Sequence, residues 1–319
     1  MAIISEAIKL LGRTGKEARE QQYFYGLVEK SVLVTGAHGQ LGNELKELFQ
    51  KINLPFKFHF TDSDILDITD REQIDEFVRI NSIEYIINCA AYTAVDKAET
   101  DRDMAFAVNV TGIENIAMVA KKYNVKVIHI STDFVFDGES DIPYKESDNV
   151  NPLSVYGETK LEGENVLQSL AAEWIIIRTS WLYSTYGSNF VKSMIRLMTE
   201  RDKLTVVEDE IGTPTYAADL AEMILHIMQY SEDKAWKTGL YHFANRGVVS
   251  RFDFAREIKA VAGIESCELS PITTKEYGAP AKRPAYSALD VSKISDAFKV
   301  EVPEWKEALG RCIKKLKTD

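Results

Sequence analysis

From Ser31 onward, short apolar runs rich in β-branched residues alternate with stretches of helical period. Apolar strand-like runs fall at 31–35, 56–61, 85–88, 127–131 and 174–178. Between them, a stretch such as 101–123 places Ala105, Val108, Ile113, Ile116 and Val119 on one helical face. Continuous apolar strands separated by helices predict a parallel sheet covered on both faces, that is, a doubly wound α/β fold. Beyond about residue 180 the order is less regular, and prolines return at 214, 271, 280, 284 and 303. That half is expected to supply a smaller C-terminal lobe over the carboxyl edge of the sheet. Residues 1–30 stand apart. Ile3, Ile4, Ile8 and Leu11 suit one face of a short helix, and Glu6, Glu17 and Glu20 offset the basic Arg13, Lys16 and Arg19. The stretch reads as an appended extension rather than a secretory or organelle leader.

The length of 319 residues exceeds one compact domain and leaves room for that second lobe. A net charge of −11 argues against nucleic acid or an anionic membrane as partner. No run reaches the roughly 18 apolar residues of a membrane span. Cys89, Cys267 and Cys312 are odd in number and scattered. That usage fits a reducing compartment, and the expected location is cytoplasmic. The five histidines show no metal-ligand spacing, and there is no Gly-x-Ser-x-Gly elbow.

The candidate chemistry lies where predicted strands end. The first strand runs into Gly36-Ala37-His38-Gly39-Gln40-Leu41-Gly42 and then a helix. Glycines at such a turn let backbone approach a pyrophosphate seated on the helix N-terminus. The spacing is Gly-x-x-Gly-x-x-Gly, one residue off the usual dinucleotide pattern. Asp62 closes the second strand, where a carboxylate would meet an adenosine ribose. Ser131-Thr132-Asp133 ends the fourth strand and puts a hydroxyl at the ligand-binding edge. Tyr156 and Lys160 follow, four residues apart and so on one helical face. A free tyrosine titrates near 10, and an ammonium beside it is expected to pull that value down, making a proton-transfer device. His129, inside an apolar strand, reads as a satisfied core histidine.

These segments resemble the extended short-chain dehydrogenase/reductases and, within them, the dTDP-4-dehydrorhamnose reductases. The resemblance covers roughly residues 31–315. It rests on 34–42, Leu-Asp-Ile-Thr-Asp at 66–70, and Ala-Ala-Tyr-Thr-Ala-Val-Asp-Lys-Ala-Glu at 90–99. Ser-Thr-Asp-Phe-Val-Phe-Asp-Gly at 131–138, Tyr-Gly-Glu-Thr-Lys-Leu-Glu-Gly-Glu at 156–164 and Arg-Thr-Ser-Trp-Leu-Tyr at 178–183 extend it. Gly-Thr-Pro-Thr at 212–215 and Arg283-Pro284 complete it.

The resemblance implies a Rossmann domain over 31–182 with return segments from about 213–245, and a substrate-binding lobe over most of 183–319. It implies reduction of the C4 ketone of a dTDP-6-deoxyhexulose with NADPH or NADH. Thr132, Tyr156 and Lys160 would be the catalytic set. Gly36, His38, Gly39, Gln40, Leu41, Gly42, Asp62, Asp67, Ile68, Ala90 and Ala91 would hold the cofactor with Tyr156 and Lys160. Thr93, Val95, Asp133, Phe134 and Trp181 would meet the dTDP-sugar. Some members of the family bind magnesium at a homodimer interface, and Glu44 matches one of its acidic ligands. Ala218 stands where a second would be. A dehydratase of this fold needs Asp-Glu after the strand-end threonine, and Phe134 occupies the second position here. A 4-epimerase sharing the Thr/Tyr/Lys set, and a regulatory subunit that binds nucleotide without turnover, remain as alternatives.

Overall fold

The computed structural model describes residues 29–52 and 55–318. The extension expected over 1–30 lies almost wholly outside them. Five of the six strands of the main sheet are β1 (Lys30–Thr35), β2 (Phe56–Phe60), β3 (Ile83–Asn88), β4 (Lys126–Thr132) and β5 (Trp174–Thr179). The sixth, Gly239–His242, joins the edge beside β5. The order across the sheet is Gly239–His242, β5, β4, β3, β1, β2, and every pairing is parallel.

Side chains alternate across a strand, so each strand feeds two cores. Val32, Val34, Tyr85, Ile87, Ile128, Ile175 and Ile177 face the helices Gln40–Lys51 and Ala217–Asp233. Leu33, Ile86, Val127 and Ile176 face the helices Arg71–Asn81, Gly112–Tyr123 and Val155–Leu170. Covering on both faces explains why the strands read as unbroken apolar runs.

The helix expected over 101–123 is interrupted. Helix Arg102–Phe106 passes into a π-turn, Ala107–Thr111, before Gly112–Tyr123 resumes. The wider turn accommodates Asn109, a buried side chain that reads as one polar position in an apolar stripe. Its Oδ1 accepts from Tyr92 N at 2.9 Å, and its Nδ2 donates to Thr159 Oγ1 at 3.1 Å. The bulge therefore ties the loop after β3 to the helix Val155–Leu170. Gly163 of that helix makes the approach possible, because a Cβ there would stand 2.2 Å from the Asn109 carbonyl oxygen.

A third core belongs to the C-terminal half. Helices Phe190–Glu200, Arg251–Ala262 and Trp305–Leu316 enclose Tyr183, Met198, Phe254, Trp305 and Leu309. A small parallel pair, Lys203–Val207 with Glu268–Ile272, lies beside them. This core joins the sheet at the end of β5, where Thr179 Oγ1 donates to Thr215 Oγ1 at 3.1 Å and Ser180 Oγ to the Thr213 carbonyl at 2.5 Å. Cys89, Cys267 and Cys312 are all free. Among the described residues no helix is long and apolar enough to cross a membrane.

One buried ion pair fastens Val155–Leu170 to the sheet. Glu164, fully shielded from solvent, accepts from Arg178 Nε at 2.9 Å and Nη2 at 2.7 Å, and from Ser131 Oγ at 2.5 Å. Removing one partner would leave the other charge buried and uncompensated, at a cost of about 3–5 kcal/mol. Glu164→Gln is therefore expected to lose stability on that scale in equilibrium denaturant unfolding. A loss under about 1 kcal/mol, typical of exposed pairs, would contradict this account.

Candidate active site

The glycine turn closes on itself before it can meet any ligand. Gly36 has φ +66°, and a Cβ there would lie 2.6 Å from Ala90 N. A Cβ on Gly42 would lie 2.4 Å from the Gly36 carbonyl. Both glycines thus serve backbone approach within the protein. Gly39 caps the helix Gln40–Lys51 with no side-chain hydrogen bond, and Leu41 is buried behind it. A helix start whose first amides lack a side-chain cap suits an anion, so the turn fits a dinucleotide's pyrophosphate. Asp62 lies two residues past β2, and its Oδ2 accepts from His38 N at 2.9 Å, which braces the turn. Asp67 caps locally, accepting from Thr69 N at 2.8 Å. Ile68 is buried against Gly112. Ala90 and Ala91 are half-buried where the chain leaves β3.

Thr132 is the last residue of β4 and is buried. Its Oγ1 donates to Asp133 Oδ1 at 3.1 Å and accepts from Phe134 N at 3.2 Å. Tyr156 lies in the first turn of Val155–Leu170, a start fixed twice over. Ser154 Oγ caps Gly157 N at 3.2 Å, and Glu99 Oε1 accepts from Val155 N at 2.9 Å. The Phe134 ring meets the Tyr156 ring edge-on at 5.4 Å.

The expected effect of Lys160 on Tyr156 is corrected by the geometry. The Lys160 ammonium donates to the Ile130 carbonyl at 2.7 Å and lies 3.3 Å from His129 Nε2. Tyr156 is instead pushed up to about 12 by burial, with the Thr132 hydroxyl pulling down and the Asp133 charge pushing up. The phenol is thereby kept protonated, as suits a proton donor. Burial lowers Lys160 to about 8, against the charges of Glu164 and Cys89.

The residues expected to meet the sugar fall in two groups. Asp133 and Phe134 follow Thr132 in a single 3₁₀ turn, while after β3 Thr93 lies on the connecting loop and Val95 opens the short helix Val95–Ala98. That segment is held to residues 281–283 by Asp96, which pairs with Arg283 Nη2 at 2.9 Å. Trp181 comes from the chain leaving β5. It sits at φ +46°, a left-handed conformation that costs a bulky residue energy and is retained where the surroundings enforce it. Arg251, which the sequence did not single out, lies 3.6 Å above the Trp181 ring and 3.5 Å from Glu210. Its guanidinium stacking offers the site a cation anchored at both ends.

Glu44 does not join this site. It is buried, accepts from Ser184 Oγ at 2.6 Å and lies 3.5 Å from Lys315 Nζ. Among the described residues no three His, Cys, Asp or Glu side chains gather to hold a metal. An ammonium and a hydroxyl satisfy this carboxylate, so the residues here do not fit a magnesium ion. Ala218 lies partly buried in the C-terminal core.

Asp133 is raised to about 6 by burial, opposed by Ser287, Thr132 and the Arg251 charge, and its Oδ2 has no hydrogen-bond partner. In the unfolded chain the same carboxyl titrates near 3.9. Below about pH 4 both states are protonated and the difference vanishes. Above pH 6 the folded state carries the full cost of the charge, on the order of 3 kcal/mol. Asp133→Asn is expected to raise the melting temperature at pH 8 and to lose that advantage near pH 4. A difference constant with pH would sink this account.

The family described as the RmlD substrate binding domain matches residues 30–318. A dTDP-4-dehydrorhamnose reductase of Aggregatibacter actinomycetemcomitans is 43% identical over 284 residues, covering 87% of this chain and 96% of the relative. The crystal structure of such a reductase from Clostridium acetobutylicum is 41% identical with a TM-score of 0.84, covering 90% of this chain and 99% of the other. One from Bacillus anthracis, in complex with NADP, is 39% identical with a TM-score of 0.85 and the same coverage.

Proposed function

The chain belongs to the RmlD substrate-binding-domain family, and from that membership we propose that it reduces the C4 ketone of dTDP-6-deoxy-L-lyxo-4-hexulose to dTDP-L-rhamnose. The observation that carries the reading is the meeting of Thr132 and Tyr156 at the end of β4, with Lys160 one turn further along the same helix. In this reading residues 31–182, with the segment from about 213–245, hold a nicotinamide cofactor, and most of 183–319 holds the sugar nucleotide.

The reduced nicotinamide, when bound, supplies the hydride. Tyr156 donates its proton to the C4 oxygen, and its high pKa keeps that proton in place until the oxygen becomes strongly basic. Thr132 Oγ1 donates to the same oxygen and exchanges its bond to Asp133 for one to substrate. Lys160 provides the positive charge on the cofactor side. Asp133, with its unpartnered Oδ2, accepts from a sugar hydroxyl. Trp181, braced by Arg251, closes the sugar pocket. Both NADPH and NADH suit the reading. Asp62 would accept from a free 2′-hydroxyl, while the exposed His38 beside it, 3.8 Å from Asp62, offers a partner to a 2′-phosphate.

A 4-epimerase shares the threonine, tyrosine and lysine but returns its hydride to substrate. Supplying the dTDP-4-keto sugar with each reduced cofactor therefore separates the two. A reductase oxidises one nicotinamide per product, whereas an epimerase shows no net loss of absorbance. Tyr156→Phe is expected to keep cofactor affinity and lower turnover by roughly 10²–10⁴-fold, the usual worth of a positioned acid. Turnover near the wild-type rate in that variant would remove Tyr156 from the role of acid.

A further inference from the structure

The sheet face beneath the helix Val155–Leu170 is apolar except toward its carboxyl edge, where one polar row crosses three strands. The parallel register places Thr35 of β1 opposite Asn88 of β3, and Asn88 opposite His129 of β4. All three residues are buried. Asn88 Oδ1 accepts from Thr35 Oγ1 at 2.5 Å, and its Nδ2 lies 2.9 Å from His129 Nδ1. His129 Nε2 then lies 3.3 Å from Lys160 Nζ. The row thus runs from the residue before Gly36 to the one ammonium of the proposed catalytic set.

Donor and acceptor counting decides what this row can do. An ammonium has three protons and no lone pair, and a neutral imidazole has one donor nitrogen and one acceptor. The ring is held neutral, since burial and the Lys160 charge push His129 well below its ordinary value. Facing an ammonium, Nε2 must then be the bare nitrogen. Nδ1 must carry the proton and find an acceptor. Asn88 can supply one, because its amide oxygen and nitrogen occupy nearly the same volume and exchange by rotation. Turning the amide over from the orientation above puts its oxygen on Nδ1 and lets its nitrogen donate to Thr35 Oγ1. A bond from a charged donor is stronger than one between neutral groups, so the charge on Lys160 sets the direction of the whole row.

We propose that His129 is a positioning residue for Lys160: a neutral imidazole, held as the Nδ1–H tautomer by Asn88 and Thr35, whose Nε2 accepts one ammonium proton. The Ile130 carbonyl accepts a second, and the third remains for the cofactor side. The other titratable groups facing Lys160 are Cys89 at the end of β3 and Glu164 one turn along its own helix. Asp133 bears on the site through Tyr156. Neither Cys89 nor Glu164 accepts a hydrogen bond from Nζ, so His129 and the Ile130 carbonyl carry its orientation.

The contact does not depend on the catalytic reading above, although its consequence for turnover does. The test uses the whole chain without ligand. In a ¹⁵N-histidine-labelled sample, with the His129 signals assigned by their loss in a variant, long-range ¹H–¹⁵N correlation is expected to show the Nδ1–H tautomer. An Nε2–H tautomer at neutral pH overturns the proposal. Two polar replacements then separate positioning from mere filling of space. His129→Gln can place an oxygen near Nε2, while His129→Asn reaches Asn88 but not Lys160. In ¹³Cε-lysine titrations, His129→Asn is expected to lower the Lys160 pKa by about one unit, with His129→Gln staying near wild type. The alkaline limb of the pH–turnover profile should move with it, because the ammonium is lost as pH rises through its pKa. Equal shifts in both variants, or none in either, overturn the proposal. Lys160→Met serves as the separate control: if it turned over normally, the catalytic reading of Lys160 would fall, while the titrations would still judge His129.

Discussion

Glu164 is a carboxylate that water does not reach, and the placement of the helix Val155–Leu170 depends on it. It takes two bonds from the Arg178 guanidinium on β5 and one from Ser131 on β4. The bidentate fork allows one orientation of the helix relative to both strands. One turn before Glu164 lies Lys160, and a further turn back lies Tyr156, so fixing one residue fixes the row. A buried pair of this kind contributes less to net stability than its contacts suggest, because both charges must be dehydrated. Its effect is on register, and register is what brings Tyr156 to Thr132 and Lys160 to His129.

The same face of the sheet is divided along its length. Leu33, Ile86, Val127 and Ile176 make a dry core with the helices above. Two residues on, at the same parity, stand Thr35, Asn88, His129 and Arg178, all buried and polar. Polar groups in that position are tolerable because each finds a partner within the row or on the helix. The carboxyl edge is thus stiff before any ligand arrives. Groups with displaced proton affinities collect there: Tyr156 held protonated, Lys160 brought near neutrality, and Asp133 raised by burial. Trp181, strained at positive φ and clamped by Arg251, continues the stiffness beyond β5.

Much of this was legible residue by residue. The five strands were visible because burial on both faces leaves unbroken apolar runs, and the glycine turn because it follows the first of them. Thr132, Tyr156 and Lys160 could be paired through their places at a strand end and a helix start. Asn109 was not legible, since a π-turn keeps roughly the helical period of its neighbours. His129 was read as a core histidine, which is right about its burial and silent about Lys160. The contact spans 31 positions and depends on cross-strand register. Glu44 shows what a local match leaves out. Its match to an acidic metal ligand was local, while the ammonium that satisfies it comes from position 315.

The division follows from the range of the forces. Apolar periodicity, turn glycines and four-residue helical spacing are short-range properties, and the linear chain by itself determined the sheet, its covered faces and the Tyr156/Lys160 pair. Which acceptor meets a buried proton depends on groups distant in sequence, brought together by packing. Tertiary structure alone decided that Lys160 turns to His129 and Ile130, that Tyr156 is raised rather than lowered, and that Glu44 faces a lysine. In a medium of low dielectric such choices are costly to reverse, so they govern the chemistry even though no local pattern announces them.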